Sequence, residues 1–576
     1  MRLIGWQMNG TQIAWPDFFA AGRAAKLSPP NSNFPLAPDV SNEYPPSTKR
    51  RGRSSGVEHN LAKVRVGRSN RLARSIWSNT KVAVWRPFVI PGLSNPDLHE
   101  FDQISLTLFP DPTNLAILHH LARIRIMAPL IYPTTNLTAT EQMVLDRGEG
   151  IYVFDKEGNR YIEGLAGLWC TSLGYGNQEL IDAIADQMGQ LSFSHMFGGK
   201  THEPAMQLAQ KLRDMVPVED AYIFLGNSGS DCNDTHVKML RYYFNAIGKP
   251  EKRKIITRDR GYHGVTVAAG SLTSLPANLA HFSAPVEELG ILRSHSPHYY
   301  TARKGNETET QFVDRIMDEL EQQIIAEDPS TIAAMIVEPV TGASGVIVPP
   351  DGYYERLQDI LRKYDILVWA DEVITGFGRT GNEFGCTTMG IKPDLMSFAK
   401  QLSSAYFPIS AAVIPGWMYD AMIEPSNQVG VFGHGYTYSG HPAACAAALK
   451  TLEIYERDQL FAHAAEVGDH MQAELRRRFS DHPLVGEVRG VGLMAALELV
   501  SNKTTGQGFN GAPAGGFAQK ACEKRGLILR AVAGNSLAFC PPLIITKEQV
   551  DDMLDCVAPA LDETYEHLRA EGMVAG

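Results

Sequence analysis

The sequence predicts an α/β protein: a large domain on a mostly parallel sheet, joined to a smaller α+β domain. Three observations carry this. From Gly150 onward, helical segments alternate with short apolar runs: AYIFLG (221–226), KIITR (254–258), AAMIVEPV (333–340), ILVWADEV (366–373), DLMSFAK (394–400) and SAAVI (410–414). These runs lack the polar alternation of a half-exposed strand, which suits strands covered on both faces of a parallel sheet. Beyond about residue 446 the pattern changes to one long amphipathic helix ending in RRRF (476–479), then strands around VGLMAALELV (491–500) and LAFC (537–540). Strand–helix alternation followed by that change means a layered α/β body with a second, smaller unit.

The chain is long enough for such an arrangement. It has 576 residues, of which 44% are hydrophobic and 20% charged, so it can bury more than one core. No run approaches eighteen consecutive apolar residues, which argues against a membrane span. Seven cysteines (170, 232, 386, 445, 522, 540, 556) are scattered without C-x-x-C spacing or paired histidines. Neither a disulfide framework nor a metal site is expected, and a reducing cytoplasm fits. The net charge is −11, unevenly spread: residues 1–126 hold 16 Lys and Arg against 8 Asp and Glu, leaving −19 for the remainder. An acidic body with no basic stripe is not expected to bind nucleic acid.

The elements follow in order. Residues 1–126 read as an extension outside the fold. Up to Pro46 they are rich in Pro, Ser and Asn, and RGRSSGVEHNLAKVRVGRSNRLARSI (51–76) is basic without helical or strand period. This stretch reads as a basic arm, a targeting peptide, a disordered extension, or the translation of a transfer-RNA gene, which SSGVEH and LAKV resemble. In the last case the chain starts at Met127, and mass spectrometry of the natural N-terminus decides it. Residues 127–180 are expected to be the N-terminal part of the small domain, 181–446 the large domain, and 447–576 the C-terminal part of the small one. IYVFDKEGNRYIEGL (151–165) predicts a hairpin turning at 156–159. ELIDAIADQMGQL (179–191) predicts a helix with Leu180, Ile184 and Met188 on its inner face.

Six local patterns carry chemistry. Asn227-Ser228-Gly229-Ser230-Asp231 lies between an apolar run and a helical segment. Such a turn exposes N–H groups to an anion, or simply turns the chain. Gly261-Tyr262-His263-Gly264 offers an aromatic ring to a planar ligand, or a packed tyrosine. Asp371-Glu372-Val373 ends a strand where α/β proteins bind ligands, and a carboxylate there can hold a pyridine nitrogen protonated. Lys400 ends the next strand, where it is either solvated or covalently used. Gly435-Tyr436-Thr437-Tyr438-Ser439-Gly440-His441-Pro442 and Gly526-Leu527-Ile528-Leu529-Arg530 complete the set. Gly376 to Gly381 matches G-x-G-x-x-G, but no convincing helix follows, as a dinucleotide site requires.

Taken together, SGSDCND, GYHG, EPV, ADEVITGFGRTG, FAK and TYSGHPAACAA resemble the class III aminotransferases, from about Tyr132 to the C-terminus. The resemblance implies the fold type I of pyridoxal 5′-phosphate (PLP) enzymes and a homodimer, or dimer of dimers, with the active site between subunits. It implies that Lys400 links covalently to the cofactor and then serves as the base. Asp371 would hold the ring nitrogen, with Tyr262 and Val373 on the two ring faces. Ser228, Gly229 and Ser230 would hold the phosphate, joined by Thr437 of the partner subunit. His263, Gly264 and Glu338 fall in the same implied cofactor set. Asp231 and Cys232 replace the Glu-Ala more usual in this turn.

Relatives that use 2-oxoglutarate place a fixed arginine just before a segment here reading FCPPL (539–543), and this chain has Ala538 there. An apolar residue cannot replace a bidentate guanidinium. Arg530 instead resembles the mobile arginine of the ω-amino acid:pyruvate and amine:pyruvate transaminases, and Trp169 resembles their aromatic pocket wall. The expected reaction is therefore transfer of an amino group from an ω-amino acid or amine to pyruvate, ping-pong through the pyridoxamine form. The alternatives are a 2-oxoglutarate-using aminotransferase, or a decarboxylase or aminomutase of the same fold. From another class, an aminotransferase-like regulator would need a DNA-binding helix pair, and residues 1–126 show none.

Overall fold

The computed structural model describes residues 130–138, 142–511 and 513–574. Residues 1–126 and the expected start at Met127 lie outside the described residues. The predicted hairpin forms: β2 (Tyr152–Asp155) and β3 (Arg160–Glu163) pair antiparallel. Asp155 accepts from the Asn159 amide N–H and side chain, both at 2.8 Å, which closes the turn. A strand the apolar pattern does not reveal, β1 (Leu145–Glu149, LDRGE), adds to β2.

The six apolar runs become β4 (Tyr222–Gly226), β5 (Lys254–Arg258), β7 (Ile332–Val337), β8 (Leu367–Asp371), β9 (Leu395–Phe398) and β10 (Ser410–Ile414). With β6 (Ile291–Ser294) they form one seven-stranded sheet, ordered β4-β10-β9-β8-β7-β5-β6. Only β10 runs against its neighbours. Every residue of β7, β9 and β10 is buried. Complete burial of each Ile or Val there contributes about 1.5–3 kcal/mol. β4 departs from the prediction because it is an edge, and its Tyr222 is exposed.

Helix α1 (Gln178–Gln190) is capped by Asn177, whose Oδ1 accepts the Leu180 N–H at 3.2 Å. Its inner face is not quite the predicted one: Leu180 is buried and Ile184 half-buried, but Met188 is 44% exposed while Gln187 is buried. Helix α2 (Gly229–Ala246) follows β4. The single long helix expected after residue 446 is two, α3 (Pro442–Arg457) and α4 (Leu460–Phe479). They part at Gln459, which has φ 51°, a break that no Gly or Pro announces. The predicted boundary at 446/447 falls inside α3.

The C-terminal strands β11 (Val485–Val491), β12 (Met494–Leu499), β14 (Arg530–Val532) and β15 (Ser536–Phe539) make an antiparallel sheet ordered β11-β12-β15-β14. The short β13 (Leu527–Ile528) instead pairs parallel with β3, so the segment from Leu527 to Val532 joins the two small sheets. The chain closes with helix α5 (Lys547–Ala570). Among the described residues no helix is long and apolar enough to cross a membrane.

Candidate active site

The C-terminal ends of β8 and β9, the start of α2 and the loop after β5 converge on a cavity of about 170 Å³. It is lined by Gly229, Ser230, Asn233, Tyr262, His263, Gly264, Glu338, Val340, Asp371, Val373, Ile374 and Lys400. This is the ligand position that an open parallel sheet dictates. The structure thus brings together eight residues singled out from the sequence in the first four patterns, with Glu338 of EPV. It adds Asn233, Val340 and Ile374. Asn233 sits one helical turn beyond Gly229, and that i+4 spacing is the signal that could have found it.

Asp371 ends β8 almost wholly buried. Its Oδ2 accepts from His263 Nδ1 at 2.8 Å and Asn233 Nδ2 at 3.0 Å, and its Oδ1 accepts the Val373 N–H at 3.2 Å. Burial pushes its pKa up, but the donors of His263 and Asn233 and the Val373 amide outweigh it, and the group is held below the usual carboxylate value. Glu338, also buried, accepts the N–H of Tyr262 and of Gly342, both at 3.0 Å, while burial raises its pKa. It therefore anchors the Tyr262 loop.

Lys400 lies just past β9 and opens a short 3₁₀ turn with φ 41°. A left-handed non-glycine residue costs about 1–3 kcal/mol, a strain that clusters at functional sites. Removal from water holds its pKa below the usual lysine value, against the pull of Asp371. Lys400 is half-buried, and among the described residues it is in no ion pair.

The small-residue turn starts an 18-residue helix. Ser228 and Asp231 form a reciprocal cap, and Asp231 also takes the Asn227 N–H, so the side chains satisfy their own amides. Gly229 and Ser230 line the cavity and are the first two residues of that helix, so their N–H groups have no intrahelical partner and an anion is favoured there. Two close approaches hold this corner. A Cβ on Gly229 would sit 3.1 Å from both Val373 γ-carbons. Gly264, at φ +128°, lies so close to Ser230 that a Cβ would meet its Oγ at 2.6 Å. Ser230 Oγ in turn accepts the Val265 N–H at 3.1 Å.

Four of the singled-out residues do not line the cavity. Ser228 is exposed as the cap of α2, and Thr437 is exposed beside Tyr438. Trp169 is buried at φ 63° in an apolar cluster with Val340, Ile374 and Ala538, so it stands behind two cavity residues. Arg530 is the direct cross-strand partner of Ala538 on β14 and β15. Directly opposed residues point to the same face, so the guanidinium starts one strand away from the apolar cluster. Burial raises the Tyr262 phenol's pKa, and the Arg530 charge pulls it back down. The Gly376–Gly381 turn packs: Arg379 is wholly buried and donates to the carbonyls of Leu493 and Pro541 at 3.1 and 2.6 Å.

The aminotransferase class-III family model matches residues 135–561. The probable gamma-aminobutyrate transaminase 3, mitochondrial, of Oryza sativa subsp. indica is 44% identical over 436 residues, 75% of this chain and 84% of that protein. The diaminobutyrate–2-oxoglutarate transaminase of Halomonas elongata is 42% identical over 435 residues, 75% of this chain and 92% of that protein. Among solved structures, the omega transaminase from Pseudomonas jessenii in complex with PMP is similar with a TM-score of 0.75 and 46% identity, covering 78% of this chain and 98% of that one.

Proposed function

The chain belongs to the class III aminotransferases, and from that premise we propose that it moves an amino group from an ω-amino acid or simple amine to pyruvate. Its cofactor is pyridoxal 5′-phosphate and its fold is type I of the enzymes that use it. The cavity fits that group: two unused N–H groups at a helix N-terminus suit the phosphate, an ionised buried carboxylate suits the ring nitrogen, and an enclosed lysine suits the aldehyde.

When bound, the cofactor supplies an aldehyde that takes up amines and a protonated ring that draws off electrons. In this reading Lys400 Nζ would hold the cofactor's aldehyde and, once free, would serve as the base that moves the donor's proton, as a lysine of lowered pKa can. Asp371 Oδ1 would keep the ring nitrogen protonated, Tyr262 and Val373 would flank the ring, and His263, Gly264 and Glu338 would position Tyr262. Gly229 and Ser230, with Ser228 as their cap, bind the phosphate. Thr437 of the partner subunit completes that site in a homodimer. Its exposure beside Tyr438 (61% exposed) and Phe193 (41%) supports the reading, since such apolar side chains suit a subunit face. The β3–β13 pairing supports taking the segments expected at 127–180 and 447–576 as one small domain, with the border moved off residue 446 because α3 runs through it.

The observation behind the acceptor is the Arg530–Ala538 pair. With alanine where a fixed arginine would grip 2-oxoglutarate, the near carboxylate ligand is Arg530, flanking the apolar wall of Trp169, Val340 and Ile374. A short oxo acid suits that arrangement, and so does an apolar amine once the arginine turns away. The 2-oxoglutarate in the name of the Halomonas relative marks the rival reading. The test converts the loaded protein to its amine form with β-alanine or an arylalkyl amine, then adds each oxo acid separately. Recovery of the starting absorbance with pyruvate alone supports the proposal. Preference for 2-oxoglutarate contradicts it, and stoichiometric release of carbon dioxide reveals a decarboxylase.

A further inference from the structure

We propose that Asn233 is a positioning residue that, with His263, pins one oxygen of Asp371 and leaves a lone pair on the other, which also takes the Val373 N–H, to meet the cofactor's ring nitrogen; this rests on the transaminase reading above.

Asn233 is 1% exposed and lines the cavity from α2. Its Nδ2 donates twice, to Asp371 Oδ2 at 3.0 Å and to the His263 carbonyl at 2.7 Å. Both acceptors are oxygens, so a flipped amide would set Oδ1 against two lone pairs, and the orientation is fixed. Its own Oδ1 has no partner among the described residues. A buried acceptor left unmet is a cost, and it is borne here by an amide whose donor end is fully used. A hydrophobic isostere would avoid that cost, which implies the donors are needed.

Those donors act on the geometry of the site. With His263 alone on Oδ2, the Asp371 carboxylate could pivot about its last bond. Two donors converging on Oδ2, with Val373 N–H on Oδ1, fix its plane. Only Oδ1 then retains a lone pair for the cavity. The amide adds no charge, so Asp371 stays the anion that the ring nitrogen needs. The second bond ties the backbone of the Tyr262 loop to the same helix that presents Gly229 and Ser230. One side chain thus registers the phosphate end, the ring face and the ring nitrogen of the site.

The test compares the full natural chain with N233L and N233D, each loaded with PLP. The measurements are the cofactor dissociation constant and its absorbance across about pH 6 to 9. N233L lacks both donors, and it is expected to hold the cofactor about tenfold less tightly at every pH. In N233D the introduced carboxylic acid donates to Asp371 Oδ2 while protonated, then repels it once ionised, so binding weakens as pH rises. The natural chain has no carboxylic acid at that position to give this transition. His263, Lys400, Glu338, His236, Cys232 and Tyr262 are the titratable groups facing Asp371. Burial holds His236 down at about 4 and raises the Cys232 thiol, so neither titrates in the range. Thermal unfolding without cofactor establishes that each variant folds. N233L binding as tightly as the natural chain, or N233D showing no pH transition, overturns the proposal. A natural chain that takes up no PLP overturns the transaminase reading and this one with it.

Discussion

Asp371 keeps its charge in a buried site because three donors hold it there, and in the proposed reaction the cofactor chemistry depends on that charge. D371N keeps the shape and loses the anion. It is expected to lower turnover about 100- to 1000-fold, the scale of one lost charge-stabilising group, with the thermal midpoint little changed. Steady-state kinetics beside a melting curve check this. Gly229 makes a second expectation: G229A drives a methyl against the two Val373 γ-carbons and loosens cofactor binding, with V373A, which removes a ring contact instead, as the comparison. Titration of the apo-protein with PLP reads both variants. At this scale the sequence was informative where chemistry and position coincide. Lys400 and Asp371 stand out as charged residues ending apolar runs, and their enclosure follows from the sheet. Asn233 escaped because an asparagine early in a helix looks like any solvated one until Asp371 is found across from it. Trp169 and Ser228 were recognisable as residues but not as a second layer and a cap.

Among the elements, the inner strands of the large sheet and its apolar edge strand β4 were legible, while the charged edge strands were not. β7, β9 and β10 are apolar throughout because helices and neighbouring strands cover them entirely. β1 and β6 carry charges, being strands at sheet edges, and so show no apolar run. The break between α3 and α4 has no Gly or Pro to mark it, and Arg457 ties it down by pairing with Asp458 and with Glu179 of α1. The ladder between β14 and β15 brings Arg530 opposite Ala538, which gives a kinetic expectation. R530A should slow the half-reaction with pyruvate about 10- to 100-fold and leave that with an arylalkyl amine nearly unchanged, which stopped-flow absorbance resolves. A buried polar clasp joins β11 to the loop that carries Tyr262. Arg260 donates to His298 Nδ1 at 2.7 Å, and His298 Nε2 pairs with Glu487 at 3.0 Å, while Arg489 holds Glu487 and Glu498. The Arg260 bond requires a neutral ring, and burial lowers the His298 pKa below its ordinary 6.5 despite Glu487. The neutral ring's contribution to stability is therefore whole above pH 6.5 and is lost as pH falls through the lower folded value. H298Q, which cannot take that proton, should therefore lose less thermal stability than the natural chain as pH drops below 6.5.

For the whole molecule, the proposed role of Thr437 puts two chains at each site. A site that takes Lys400 from one subunit and Thr437 from the other can be rebuilt from two defective chains. K400A and T437A, each inactive or weakened alone, should regain activity when refolded together, because one site of the mixed dimer has both residues intact. If Thr437 served its own subunit, mixing would restore nothing. The central claim, that this chain is a PLP enzyme whose cofactor is held by Lys400, has a more direct test. The loaded protein is reduced with borohydride, digested, and its peptides are weighed by mass spectrometry. The account predicts the reduced cofactor on the peptide containing Lys400 and its absence after prior exposure to an amine donor. A cofactor fixed to a different lysine, or none retained, would contradict it.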